Sequence, residues 1–255
     1  MLIIEVIRKL THKNAVTGKK ALFVILCGGA AAAAVSVLFL SFVYYRAEPP
    51  ARSYIESSEK VTVTKEGYAY FFDGPGEDKA LIFYPGALVE TESYSQIMYM
   101  LAENGVDTFL VDMPFRIAFL GMDRADDIIA SHTYKEWYMS GHSLGGMLAS
   151  EYCVQTKNEI SGLVLLAAYP IRKLEGGIPV CLICGSDDQV LSWEKYEDSK
   201  ALYTGRVDEL DIKGGNHAQF GSYGEQIGDG KASVSPDEQK RITADEIIRF
   251  VNDHT

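Results

Sequence analysis

Cysteine is scarce in this chain of 255 residues, with four in all. Cys27 lies in an apolar run near the N-terminus, and the other three, Cys153, Cys181 and Cys184, are an odd number that describes no disulfide framework. Cys181 and Cys184 do form a C-x-x-C. It falls inside "IPVCLICG", a strand-like apolar run in which residues three apart point to opposite faces, so small buried core residues are expected rather than a redox pair or metal site. Basic charge is the second scarcity. The first 46 residues hold six of the 24 basic residues and one of the 35 acidic ones, leaving 18 against 34 beyond them and a formal charge of −16. A body so acidic repels polyanions, which argues against nucleic acid and anionic lipid head groups as partners.

Charge of either sign is absent from "ALFVILCGGAAAAAVSVLFLSFVYY", the 25 residues from Ala21 to Tyr45. As a helix this run is about 37 Å long, enough to cross a hydrocarbon core of roughly 30 Å with some tilt. A secretory signal peptide has a shorter apolar region, about 7 to 15 residues, ending at a small-x-small cleavage site. Cleavage within the alanine run would leave "VSVLFLSFVYY" as the new N-terminus, so an uncleaved anchor is expected. Leu26 precedes Cys27 where lipid-attachment signals need a small residue. Five basic residues lie in the 15 positions before Ala21 and three in the 15 after Tyr45. That bias places the N-terminus in the cytoplasm and the body outside the cell membrane, on a single pass. The expected organisation is a basic cytoplasmic segment over 1–20, a transmembrane anchor over 21–45, a linker over 46–59 marked by Pro49 and Pro50, and a folded body over 60–255.

No internal repeat or low-complexity tract follows the anchor. Composition is ordinary for a globular protein, with 47% hydrophobic and 23% charged residues, and the length suffices for one large domain. "KVTVTKEGYAYFFDG" reads as a hairpin broken at Glu66-Gly67. Six more strand runs follow, in "ALIFYPG", "VDTFLVDMP", "EWYMSG", "ISGLVLLAAYP", "IPVCLICG" and "RVDELDI", interleaved with helical periodicity near 92–104, 122–131, 144–156, 192–202 and 236–253. This alternation predicts an α/β protein of about eight strands, a mostly parallel sheet covered by helices on both faces with an antiparallel hairpin at one edge.

In such a sheet ligands sit at the carboxyl ends of the strands. The stretch "KEWYMSGHSLGGMLASEY" places Ser143 just past a strand and at the start of a helix, inside Gly141-His142-Ser143-Leu144-Gly145. A match to G-x-S-x-G carries little by itself. A nucleophile on a sharp strand-to-helix turn needs residues without bulk two positions to either side, which Gly141 and Gly145 supply.

A serine hydroxyl also needs a base, usually a histidine oriented by a carboxylate. Of five histidines, His12 precedes the anchor, His254 is at the C-terminus, His142 adjoins Ser143 and points away from it, and His132 lies upstream between a helix and a strand. His217 follows the last strand run in the glycine-rich "DIKGGNHAQFGSYG". Asp187 and Asp188 follow the penultimate strand in "CLICGSDDQVLSW", so the chain order is serine, acid, histidine. The oxyanion site needs two backbone N–H groups, expected from Leu144 and from Ala87 in the turn after "ALIFYPG".

These segments, together with "FYPGALVETESYSQIMYMLAENGVDTFLVDMPFRIAFLG" and "GGNHAQFGSYGEQIGDG", resemble the α/β-hydrolase family, specifically its alpha/beta-hydrolase-5 branch, distantly related to dienelactone hydrolases. The likeness covers residues 60–252. It implies the α/β-hydrolase fold and a triad of Ser143, Asp188 and His217, with Asp188 also favoured over Asp187 by the G-x-x-D spacing from Gly185. Dienelactone hydrolases use a cysteine nucleophile where this chain has Ser143. Only five residues separate "LLAAYP" from "GGIPV", so the cap domain many lipases carry there is missing and an open cleft is expected, with Phe115, Ile117, Phe119 and Tyr223 as candidate lining.

The expectation is a membrane-anchored serine hydrolase acting on small-molecule carboxylic esters through an acyl-enzyme, with no metal or organic cofactor. Acyl transfer or peptide cleavage by the same triad, and a catalytically silent scaffold acting as an extracellular binding module, are the alternatives; the sequence sets no oligomeric state.

Overall fold

The computed structural model describes residues 43–253, so the segment over 1–20 and nearly all of the anchor expected over 21–45 lie outside the described residues. Among the described residues no helix is long and apolar enough to cross a membrane. The strand runs become eight strands: β1 (Thr62–Glu66), β2 (Ala69–Asp73), β3 (Lys79–Tyr84), β4 (Asp107–Val111), β5 (Glu136–His142), β6 (Gly162–Leu166), β7 (Val180–Gly185) and β8 (Val207–Ile212). They form one sheet in the order β1-β2-β4-β3-β5-β6-β7-β8. β1 pairs with β2 and β2 with β4 antiparallel, and every later pairing is parallel. Six parallel strands therefore end on one side, where a site is to be sought.

Period-two alternation sorts each central strand onto two cores. Along β3, Leu81 and Phe83 join Ile97, Leu101, Ile247 and Phe250 on one face, while Ala80, Ile82 and Tyr84 join Ile128, Leu148, Tyr152 and Tyr196 on the other. The first face is covered by α2 (Ser95–Glu103) and α6 (Pro236–Asn252), the second by α3 (Arg124–Ser131), α4 (Leu144–Gln155) and α5 (Trp193–Ser199). Each fully buried aliphatic or aromatic side chain contributes about 1.5–3 kcal/mol, so both faces are needed. Cys181 and Cys184 fall in opposite cores, and burial raises both thiols, Cys184 to about 12, which leaves them inert packing groups.

Three details differ from the sequence reading or extend it. Residues 46–59 are not a bare linker. Tyr45 bridges Val89 as a parallel partner, the Ala47 N–H donates to Glu90 Oε2 at 2.7 Å, and a five-residue helix, α1 (Pro49–Ser53), buries Ala51 completely. Pro49 starts that helix where its missing N–H costs nothing. The folded body thus begins near Tyr44, well before residue 60. Second, β6 and β7 are joined by 167–179 with no helix between them, unlike the other parallel crossovers. Third, β8 is an edge strand whose outer half is wet, with Glu209 and Asp211 exposed and Asp208 partly so.

Candidate active site

β5 ends at His142 and α4 starts at Leu144, leaving Ser143 alone in the turn with φ 54° and ψ −123°. A positive φ is costly for a residue with a Cβ, and neighbouring contacts hold it. The Ser143 N–H donates to Leu166 O at 2.9 Å and its carbonyl accepts from Met147 N–H at 3.0 Å. A Cβ on Gly141 would stand 2.6 Å from the Gly145 and Gly146 backbone, and one on Gly145 would stand 2.1 Å from Tyr84 O. The glycines flanking Ser143 are thus required by direct backbone approach.

His217 follows β8 in a loop and is almost wholly buried, as is Asp188. His217 Nδ1 is 2.7 Å from Asp188 Oδ2. The other carboxylate oxygen accepts the N–H groups of Val190 and Leu191, both at 2.8 Å, which aims the acid from a turn just past β7. Asp187 turns elsewhere: its carboxylate accepts from the Ser186 hydroxyl at 3.2 Å and does not meet the histidine. Asp112, after β4, is likewise engaged away from it, by the Thr91 hydroxyl at 2.8 Å.

Ser143 and His217 meet in the wall of one cavity of about 220 Å³, with Leu144 and Met147 of α4, the stretch Ala167–Tyr169 after β6, and Val190–Ser192 after β7. The contact is shared lining rather than a hydrogen bond, a looseness common in such sites before substrate closes on them. Ala87 sits in the turn after β3 and Leu144 opens α4; among the described residues neither N–H is taken by a hydrogen bond. The preceding Gly86 N–H donates to the Tyr94 hydroxyl at 3.2 Å, which fixes that turn.

The four aromatic and apolar residues expected to line the cleft do not. Phe115 and Arg116 both take positive φ, 52° and 59°, which swings the segment after β4 outward. Phe119 is left 74% exposed, Ile117 lies in the same outward segment, and Tyr223 packs instead between Tyr45 and Tyr94. The real lining comes from the helix after Ser143 and the two loops that a cap would otherwise cover.

Three supports of the candidate site escaped the sequence. His142 does not touch Ser143, but its buried ring lies 4.5 Å from that of His217 and its Nδ1 is 2.8 Å from the Tyr94 hydroxyl. Burial first, then the neighbouring His217, holds its imidazole well below the usual histidine range, so it sits neutral beside that second histidine. Asp229 accepts Ala218 N–H at 2.8 Å and Gln189 N–H at 3.3 Å, the residues after His217 and Asp188 respectively, and so ties the two loops together. Gln239 of α6 clasps the Asn216 backbone from both sides. The glycine-rich stretch ending at Asp229 was the available signal, but its side-chain-to-backbone bonds leave no periodicity to read.

A mostly parallel eight-stranded sheet with a serine at a strained strand-to-helix turn is the architecture of an α/β hydrolase. The chain belongs to the alpha/beta hydrolase family, whose model matches residues 80–241. Among solved structures it is similar to Est1E from Butyrivibrio proteoclasticus, at 14% identity and a TM-score of 0.54, covering 77% of this chain and 99% of that one. A soluble variant of monoglyceride lipase from Saccharomyces cerevisiae, in complex with a substrate analogue, aligns at 12% identity and a TM-score of 0.58, covering 79% and 97%. Alpha/beta hydrolase domain-containing protein 10 from mouse aligns at 12% identity and a TM-score of 0.55, covering 77% and 100%. At these identities the likeness is one of fold. No curated protein matches the chain in sequence.

Proposed function

We propose that the chain is a serine hydrolase that cleaves carboxylic esters, held at the cell membrane by the uncharged run from Ala21, with its body, begun by Tyr44, outside. The observation that carries the chemistry is the buried 2.7 Å pair of His217 and Asp188 opening onto the same apolar cavity as Ser143. In this reading Ser143 Oγ attacks the acyl carbon and its proton passes to His217 Nε2. The carbonyl oxygen takes the negative charge toward the N–H groups of Ala87 and Leu144, donors each worth ~10²-fold or more. Collapse breaks the ester bond, and the alcohol leaves with the proton from His217. Water then attacks the acyl-enzyme, giving its proton to His217, and the acid is released as that proton returns to Ser143. Asp188 holds His217 in the tautomer that presents Nε2 as the acceptor.

The apolar lining and the uncapped approach between β6 and β7 favour esters with a short apolar acyl group. That Est1E has been solved with ferulic acid bound, and the yeast lipase with a substrate analogue, fits a small-molecule ester for this chain too. A fluorophosphonate probe on the purified protein tests the reading. Labelling at Ser143, abolished by Ser143→Ala, is expected; an unlabelled Ser143 in folded protein would favour a silent binding scaffold instead.

A further inference from the structure

Large apolar side chains are exposed at one end of the sheet far more than elsewhere. Of nine such residues among the described ones, three follow β4 (Phe115, Phe119, Leu120), Ile171 follows β6, Val190 and Trp193 follow β7, and Ile227 follows β8. All seven lie past the carboxyl ends of parallel strands, the end that carries Ser143 and His217. Phe119 and Ile227 are 74% and 92% exposed. Soluble surfaces rarely gather apolar side chains into one district without something to cover it.

The chain itself indicates the cover. The uncharged run of 25 residues ends at Tyr45, and Tyr44 and Tyr45 are seated within this same rim. Tyr45 N–H donates to Leu88 O and its carbonyl accepts Glu90 N–H, both at 2.8 Å and both in the loop after β3. Its hydroxyl accepts Ile227 N–H at 3.2 Å, and the Arg116 guanidinium lies 3.4 Å from the centre of the Tyr44 ring. No spacer separates the apolar run from the rim. Two tyrosines followed by Arg46 also make the kind of boundary that sits at head-group depth.

We propose that the rim of the candidate site is a bilayer-docking surface, so that the cavity opens onto the membrane and takes esters dissolved in it. The inference rests on the reading of 21–45 as an anchor. The lipid is net neutral, because the acidic body gains nothing from anionic head groups. Docking buries apolar side chains to head-group depth without charge attraction.

The two tryptophans make the test. Trp193 is on the rim, 38% exposed, whereas Trp137 is buried at the start of β5, roughly 16 Å of strand from His142. The full chain is placed in phosphatidylcholine vesicles with or without bromine on the acyl chains, and its fluorescence is compared in Trp137→Phe and Trp193→Phe. Co-flotation with vesicles and several-fold stronger quenching of Trp193 than of Trp137 are expected. In Phe119→Asp with Ile227→Asp, hydrolysis of an ester embedded in the vesicles should fall about tenfold for each side chain withdrawn from lipid, while a water-soluble short ester is cleaved as before. Failure to float overturns the anchor and this inference with it. Flotation with Trp193 unquenched overturns this inference alone, and if Trp193 is then also shielded from acrylamide, a second copy or another protein covers the rim. Loss of soluble-ester cleavage by Ser143→Ala tests the hydrolase reading separately.

Discussion

Asp188 carries three hydrogen bonds on one carboxylate, and this decides what an amide in its place would do. An asparagine turned with its oxygen toward Val190 and Leu191 would present an amide donor to His217 Nδ1 and select the wrong tautomer; turned the other way, it would set that donor against two N–H groups. The equivalent change costs up to ~10⁴ in turnover in serine proteases. Asp188→Asn is therefore expected to lose several orders of magnitude in kcat, and Asp187→Asn less than about tenfold, a gap of at least roughly 2 kcal/mol in barrier. Steady-state rates on an aryl ester check the ranking, and the reverse order would move the role to Asp187. His142 gives a prediction about pH. Its folded value lies well below the ordinary 6.5, so on acidification the unfolded chain takes up a proton that the folded one refuses. Stability then falls as pH drops below about 6.5, by up to about 1.4 kcal/mol per unit, and is flat above it as far as this residue goes. In His142→Gln the melting temperature should lose part of that slope. At this scale the sequence singled out Ser143, Asp188 and His217 by chain order and glycine spacing, and in the structure His217 pairs with Asp188 and shares a cavity wall with Ser143. It hid His142, Tyr94 and Asp229, whose roles exist only where distant loops meet.

The short segment ahead of the sheet is an element in its own right. A chain beginning at Arg52 lacks the Tyr45 bridge, the Tyr45 contact with the Tyr223 ring and the buried Ala51 of α1. Losing several kcal/mol of such contacts at about 2–4 °C per kcal/mol should lower the melting temperature by roughly 5 °C or more relative to a chain beginning at Tyr44. Equal melting temperatures would return 46–59 to the status of a linker. The strands and long helices were legible because each repeats a period of 2 or 3.6 over five or more residues. α1 was not, since five residues containing Pro49-Pro50 look like a breaker, and only docking against Glu90 and Ser95 makes them a helix. The cleft lining was misread for a related reason: the backbone reversal at Phe115 and Arg116 breaks the rule that residues just past a strand point inward.

For the whole molecule, the ester-hydrolase reading makes the cavity of about 220 Å³ the limit on the acyl group. Aryl butyrates should be cleaved well and long-chain triglycerides poorly, in a comparison of kcat/KM across acyl length; equal rates would mean the acyl chain binds elsewhere. Orientation has its own check. Protease added outside intact cells should digest the body, and protection until lysis would reverse the topology.

The sheet stops at β8, and that ending acquires weight if many copies share one membrane. Tethering confines chains to a plane and raises their effective concentration, the condition under which open strand edges recruit one another. A second β8 laid against the first would bring Glu209 and Asp211, both exposed and each met by a single lysine of its own chain, against the same two acids of the other copy. Like charges facing across a strand pair are repelled. On the membrane-anchored reading, the acids of this edge would disfavour pairing of neighbouring copies through β8 and leave each cavity open to its own patch of lipid.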